Sequence, residues 1–273
     1  MAYVRTRLGR LFFEERGEKK RSGDPTIVLL HGLLFDGGMW RGQIEPLAAM
    51  GRVVVFDGPG HGKSEPPPRF TLEEHADALF DAFGELGIDK AILVGLSWGG
   101  MVSMRFVAQH PEKVAAMVLM DTSADEEELV KRVRYRAFIA MHRRVGLPRA
   151  LFDRQIAPLL FTDRTICDKP ELVDAAFRRT NGFDREGVAR AALAVVVHRS
   201  GILEKLRNVK VPTLVMVGRE DRSTPVARAE AIAHAIPSAS LAVIEGLGHM
   251  APLEDSGRVN DELVPFVRRV LGG

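Results

Sequence analysis

The sequence predicts an α/β protein, with a parallel sheet covered by helices on both faces and one helical insertion. Three observations predict this. Short apolar runs rich in β-branched residues alternate with longer amphipathic segments, as expected of strands buried on both faces and joined by helical crossovers. One serine, flanked by glycines, stands directly between such a run and the next helical segment. The alternation lapses between about Ala124 and Leu206 and then resumes.

The chain opens on a predicted hairpin, Tyr3 to Leu8 and Arg10 to Glu14 about Gly9, followed by a polar loop from Lys19 to Asp24. The predicted buried strands are Ile27 to Leu30, Val53 to Phe56, Ala91 to Val94, Met117 to Met120, Thr213 to Val217 and Leu241 to Ile244. Thr71 to Gly87 and Gly99 to His110 have helical character between them. The stretch from Ala124 to Leu206 reads as several helices, with Ala191 to Val197 ambiguous between helix and strand. It begins acidic, Asp125 to Glu128, and turns basic at Lys131, Arg132, Arg134 and Arg136, an order that suits a helix dipole.

Of 273 residues, 46% are hydrophobic and 27% charged, ordinary values for a globular chain. Lys and Arg number 38 against 36 Asp and Glu, a net charge of +2 that points to no nucleic-acid partner. Cys167 is the single cysteine and has no partner for an internal disulfide. Arg5, Arg7 and Arg10 interrupt the N-terminal segment before any signal-peptide core is reached, and no run is long enough for a membrane helix. The expectation is therefore a cytoplasmic protein without stable membrane insertion. Nothing in the composition sets the oligomeric state.

Ala91 to Met101 reads AILVGLSWGGM, with Gly-x-Ser-x-Gly between a buried strand and a helix. A serine on that turn adopts a strained backbone, and Gly95 and Gly99, lacking Cβ, let neighbouring elements close around it. Ser97 is then lifted to a helix N-terminus, where amides and dipole favour developing negative charge. A hydroxyl needs a base to act as a nucleophile near neutral pH. Of eight histidines, His249 is best placed, in the glycine-flanked loop after the last strand. The acid that orients it is read as Asp221, which ends Val-Gly-Arg-Glu-Asp past a strand, with Asp121 as the rival. Glu220 is expected to face solvent. The oxyanion donors are read as the backbone amides of Trp98 and Leu33, with Leu34 as the fallback.

These segments resemble the α/β-hydrolase superfamily. The residues that carry the resemblance are Leu30-His31-Gly32, Asp57 to Ser64, Gly95 to Gly100, Gly218 to Asp221 with Thr224-Pro225, and Gly248-His249. Trp40 and Pro111 to Val114 look like the capped esterase and lactonase branch, and Gly-Leu-Ser-Trp-Gly-Gly-Met is similar to the turn of enol-lactonases. The resemblance implies an α/β-hydrolase fold with an eight-stranded, mostly parallel sheet, its core formed by residues 1–123 and 207–273 and a helical cap by 124–206. It implies no cofactor, and no cysteine and histidine cluster has metal-ligand spacing. Leu34, Phe138, Met141, Phe161 and Met250 are candidate pocket residues. Phe152 and Phe177 are weighed beside them, and for Phe138, Met141, Phe152, Phe161 and Phe177 ordinary packing within the cap is the preferred reading.

Two features point elsewhere and are set aside. Gly60-His61-Gly62-Lys63-Ser64 looks like the end of a phosphate loop, but Asp57 occupies the position that needs glycine, and Pro66 to Pro68 block a following helix. The basic run Lys131 to Arg136 with Arg143-Arg144 reads first as a solvated helix face, with contact to membrane headgroups or to an acidic substrate as the alternative. Relatives that use aspartate as the nucleophile do not match Ser97. Carbon–carbon hydrolases often place tryptophan where this chain has Met250. The expected reaction is hydrolysis of a small-molecule carboxylic ester or lactone through an acyl-serine. C–C hydrolysis, cofactor-free perhydrolysis and ligand reception with a retained triad are the rivals.

Overall fold

The computed structural model describes residues 2–272. Its eight strands form one sheet in the order β1-β2-β4-β3-β5-β6-β7-β8. They are β1 (Ala2–Thr6), β2 (Gly9–Arg16), β3 (Thr26–Leu30), β4 (Val53–Phe56), β5 (Ala91–Leu96), β6 (Val114–Met120), β7 (Thr213–Gly218) and β8 (Ala239–Ile244). β2 pairs antiparallel with both β1 and β4, and every other pairing is parallel.

Side chains alternate between two cores because successive residues of a strand point to opposite faces. In β3, Val28 and Leu30 enter one core while Ile27 and Leu29 enter the other. The first core is closed by α2 (Leu72–Glu85) and α3 (Trp98–Gln109), and the second by α1 (Arg41–Ala48) and the C-terminal Ser256–Val270 helix. α2 starts where Thr71 and Glu74 form a reciprocal capping box, which satisfies two otherwise orphaned amides. α3 is buried continuously from Trp98 to Val107, so its sequence is apolar nearly all round.

The hairpin differs from its expected form. Arg7 and Leu8 make the turn, and Gly9, expected at the turn, opens β2 at φ 98°. Thr6 Oγ1 donates to the Gly9 carbonyl and accepts from Leu8 N–H, while Arg7 reaches across to Asp81 on α2 and leaves the ladder. Between β6 and β7 the chain is helical. It contains α4 (Leu129–Val145), α5 (Pro170–Gly182) and α6 (Arg185–Ala192), with shorter turns between them. The ambiguous stretch Ala191 to Val197 finishes α6 and continues as a π-helical turn, Leu193–Val197. Its β-branched run packs as helix because Val195 and Val197 are buried against different cores. Among the described residues, no helix is long and apolar enough to cross a membrane.

Candidate active site

The parallel strands β3, β5, β6 and β7 all deliver their C-terminal ends to one edge of the sheet, where ligands bind in open α/β folds. Ser97 leaves β5 there with φ 51°, outside the range an L-residue adopts without strain. Backbone contacts hold it. Ser97 N–H donates to the Met120 carbonyl (2.9 Å), Thr122 Oγ1 donates to the Ser97 carbonyl (2.7 Å), and Gly99 N–H donates to the His31 carbonyl (3.1 Å). The flanking glycines are sterically required. A Cβ on Gly99 would lie 2.1 Å from the Leu30 carbonyl oxygen, and one on Gly95 would lie 2.4 Å from the Gly99 carbonyl carbon.

Asp221 follows β7 and is buried. Its Oδ1 accepts from the Ser223 and Thr224 amides at 2.7 and 2.9 Å, and its Oδ2 accepts from Thr224 Oγ1 at 2.7 Å. The same Oδ2 lies 2.9 Å from His249 Nδ1. Burial pushes the Asp221 carboxyl up, but the facing imidazole and these hydrogen bonds outweigh it and hold the pKa below the usual carboxylate range. Asp121, the rival acid, makes no hydrogen bond or ion pair with the imidazole among the described residues. Its Oδ1 accepts from Gly218 N–H (2.8 Å), and burial beside the Asp221 charge drives its pKa well up. The two neighbouring carboxyls are thus shifted in opposite directions, and the one held low touches His249. Glu220 is exposed, as expected.

Ser97 and His249 line one apolar cavity of about 170 Å³, without a direct hydrogen bond between them among the described contacts. Leu33 and Leu34 border it from the loop after β3, and Leu34 is strained at φ 71°. His61 Nε2 accepts from Leu34 N–H at 3.3 Å, so that amide is engaged, whereas the Leu33 and Trp98 amides have no acceptor among the described residues. Leu33, not the fallback Leu34, therefore keeps an amide free. The loop is braced by Asp57, which accepts from the Gly37 and Lys63 amides, and by His31 Nε2, which accepts from Gly58 N–H at 2.7 Å.

The pocket expectation needs correction. Leu34 and Phe138 line the cavity, while Met141, Phe161 and Met250 do not. α4 turns Tyr135, Phe138, Ile139 and His142 toward the cavity, and Met141 lies about 100° around the helix from its neighbour His142, against the second core. Phe161 and Met250 are buried in that same core. Phe152 and Phe177 pack edge to face there, 5.4 Å between ring centres. Positions not anticipated fill the wall instead, among them Met101, Val188 and Val196. A buried ion pair between Arg199 and Glu127 (3.1 Å) also lies in the wall.

Glu254 was also not anticipated. It is buried just past the His249 loop, where Oε1 accepts from Gly248 N–H at 2.8 Å and Oε2 from Thr162 N–H at 3.0 Å. It thereby ties the histidine loop to the helical insertion. An acid five residues beyond His249, in an apolar neighbourhood, was the signal available in the sequence.

Behind the serine turn, the Trp98 ring packs against His31, His61 and His75, with centres 5.1 to 5.5 Å apart. Burial pushes His61 and His75 down to about 3, so both are neutral in the folded protein. Unfolding releases them to an ordinary value of about 6.5, where the unfolded chain binds the extra protons. Stability from these two residues is complete above about pH 6.5 and falls as the pH drops toward 3. At pH 5 the expected loss is about 2 kcal/mol for each residue relative to pH 7. Urea unfolding at the two pH values should show it, with a smaller loss in His75→Asn. An equal loss in that variant would rule His75 out as a source.

A family model described as the alpha/beta hydrolase fold matches residues 25–256. The chain belongs to this family. Among solved structures it is similar to a thermophilic esterase from Thermogutta terrifontis, with TM-score 0.89 and 31% identity over 98% of each chain. It is also similar to the enol-lactonase from Burkholderia xenovorans LB400, with TM-score 0.88 and 26% identity over 97% of this chain and 99% of that one. By sequence it is 32% identical, over 96% of its length and 68% of the relative's, to a dihydrolipoyllysine-residue acetyltransferase component of an acetoin cleaving system from Pseudomonas putida. Among the described residues, no group of three or more His, Cys, Asp or Glu side chains is placed to hold a metal ion.

Proposed function

We propose that this alpha/beta hydrolase cleaves carboxylic esters or lactones through an acyl-serine intermediate. The observation that carries the reading is the Asp221 Oδ2 to His249 Nδ1 contact of 2.9 Å, with the same imidazole facing the cavity that Ser97 lines. With Nδ1 held by the carboxylate, Nε2 is the nitrogen left to take a proton. Ser97 Oγ attacks the carbonyl carbon as its proton passes to Nε2. The resulting oxyanion accepts from the free Leu33 and Trp98 amides, an arrangement whose stabilisation grows as charge develops. Collapse breaks the bond to the alcohol oxygen, which leaves with the proton from His249. Water then gives a proton to the same nitrogen as it attacks the acyl carbon, and collapse releases the acid while that proton passes to Ser97 Oγ, restoring both residues.

Residues 124–206 act in this reading as a cap. The cavity wall combines core residues such as Leu33 and Met101 with α4 and α6 residues from the insertion, which supports the assignment. The apolar wall suits an acyl group or ring better than a charged one. The similar esterase and enol-lactonase structures support the two bond types named.

The test is the initial rate on p-nitrophenyl esters from acetate to decanoate, with fluorophosphonate labelling in parallel. Turnover across the short members, abolished by the label at Ser97, is the expected result. A rate no higher than buffer together with an unlabelled Ser97 would overturn the assignment. Labelling without turnover of these esters would narrow the reaction to lactones if they are cleaved, and would move it to a carbon–carbon bond if only ring-fission diketones are.

A further inference from the structure

The cap helix α4 has a second face that the hydrolytic reading does not use. Leu129 is 76% exposed, Val130 82% and Val133 68%, and Ala137 and Ala140 are exposed beside them. At about 100° per residue, these five side chains fall within one arc of about 100°, opposite the arc formed by Tyr135, Ile139 and His142. None of the described cavities borders this face.

Arginines border the stripe along the helix, and the acidic run Asp125 to Glu128 stands at its N-terminal end. Arg136 and Arg143 lie along one border, Arg134 along the other, and Arg144 closes its C-terminal end. Arg143 is committed to Glu186 at 2.7 Å, and the nearby acids Glu126 and Glu128 are neutralised by Arg132 and Lys131. Arg134, Arg136 and Arg144 have no acidic side chain in ion-pair range among the described residues.

We propose that this face of α4 rests on an anionic lipid surface. An apolar stripe bordered by arginines lets the aliphatic side chains enter the headgroup boundary while the long cationic ones reach lipid phosphates. Adsorption of this kind needs no spanning helix, and it extends the reading of the basic run from a solvated face to a headgroup contact. A second copy of the chain is the competing occupant, and the test below separates the two. The proposal does not depend on which bond the enzyme cleaves, because its test measures binding alone.

The experiment is sedimentation of the full chain with phosphatidylcholine vesicles, with and without about a third phosphatidylglycerol. Partition onto the mixed vesicles should exceed that onto neutral ones about tenfold or more and collapse at high salt. Changing Arg134, Arg136 and Arg144 together to serine should lower it about a hundredfold, some fivefold for each cation. Val130→Asp with Val133→Asp should abolish it. Both variants should keep the wild-type melting temperature and turnover of a soluble ester, since none of these side chains touches the cavity. Equal partition onto both vesicle types, or wild-type binding by the aspartate variant, would overturn the proposal. A dimer in sedimentation velocity that the aspartate variant dissolves would also overturn it, assigning the face to a second copy.

Discussion

Replacing Ser97 with alanine should lower kcat for a short p-nitrophenyl ester by about 10⁵- to 10⁶-fold and leave the melting temperature nearly unchanged. The large kinetic effect follows because, in the proposed reaction, Oγ is the atom that bonds to the acyl group. Without it, only oxyanion stabilisation and substrate positioning remain. The small structural effect follows from how the turn is held. The Met120 carbonyl accepts the Ser97 amide proton, Thr122 donates to the Ser97 carbonyl, and His31 accepts from Gly99, and none of these bonds involves Oγ. Alanine meets the strain of φ 51° much as serine does. Stopped assays and a thermal melt on the same preparation would decide the matter. Turnover within tenfold of wild type would remove Ser97 from the mechanism, whereas a collapsed melt would show only that the turn had failed.

The second large effect is expected at Asp221. Changing it to asparagine should lower kcat about 10⁴-fold, because an amide neither fixes the tautomer that leaves Nε2 free nor stabilises the imidazolium. The neighbouring Asp121→Asn change should stay within about tenfold of wild type. Asp121 is driven toward its neutral form by burial and by the Asp221 charge, and an amide reproduces both that neutrality and the oxygen accepting from Gly218. The Asp221 carboxylate is held ionised by His249 and its hydrogen bonds against the pull of burial, so its contribution is present at neutral pH and is lost only in strong acid. Kinetics of the two variants side by side separate the roles. Comparable losses in both would mean that the two carboxyls act as one unit.

These two sites mark a difference in what the chain makes readable. The serine turn is a local event. A buried strand, two glycines with neighbouring backbone where a Cβ would stand, and a helix start all lie within eleven residues. The choice between Asp221 and Asp121 is not local. Both follow a buried strand, and only the pairing of β6 with β7 and the return of the His249 loop decide which carboxylate meets the imidazole. Glu254 shows the same dependence, since its partners Gly248 and Thr162 are brought together by the insertion folding back onto the core.

By itself the sequence determined the alternation of strands and helices, the strained serine turn, the candidate base and the position of the helical insertion. Each of these depends on residue type and spacing within a short window, where backbone sterics and burial periodicity act directly. Tertiary structure alone decided which residues of the helical insertion meet the cavity. Phe138 and Met141 look alike in the sequence, yet the rotation of α4 against the core sends one to the cavity and the other to packing. That rotation is set by the combined burial of Ile139, His142 and their partners on α6 and the turn that follows it, a sum over distant contacts that no local pattern encodes.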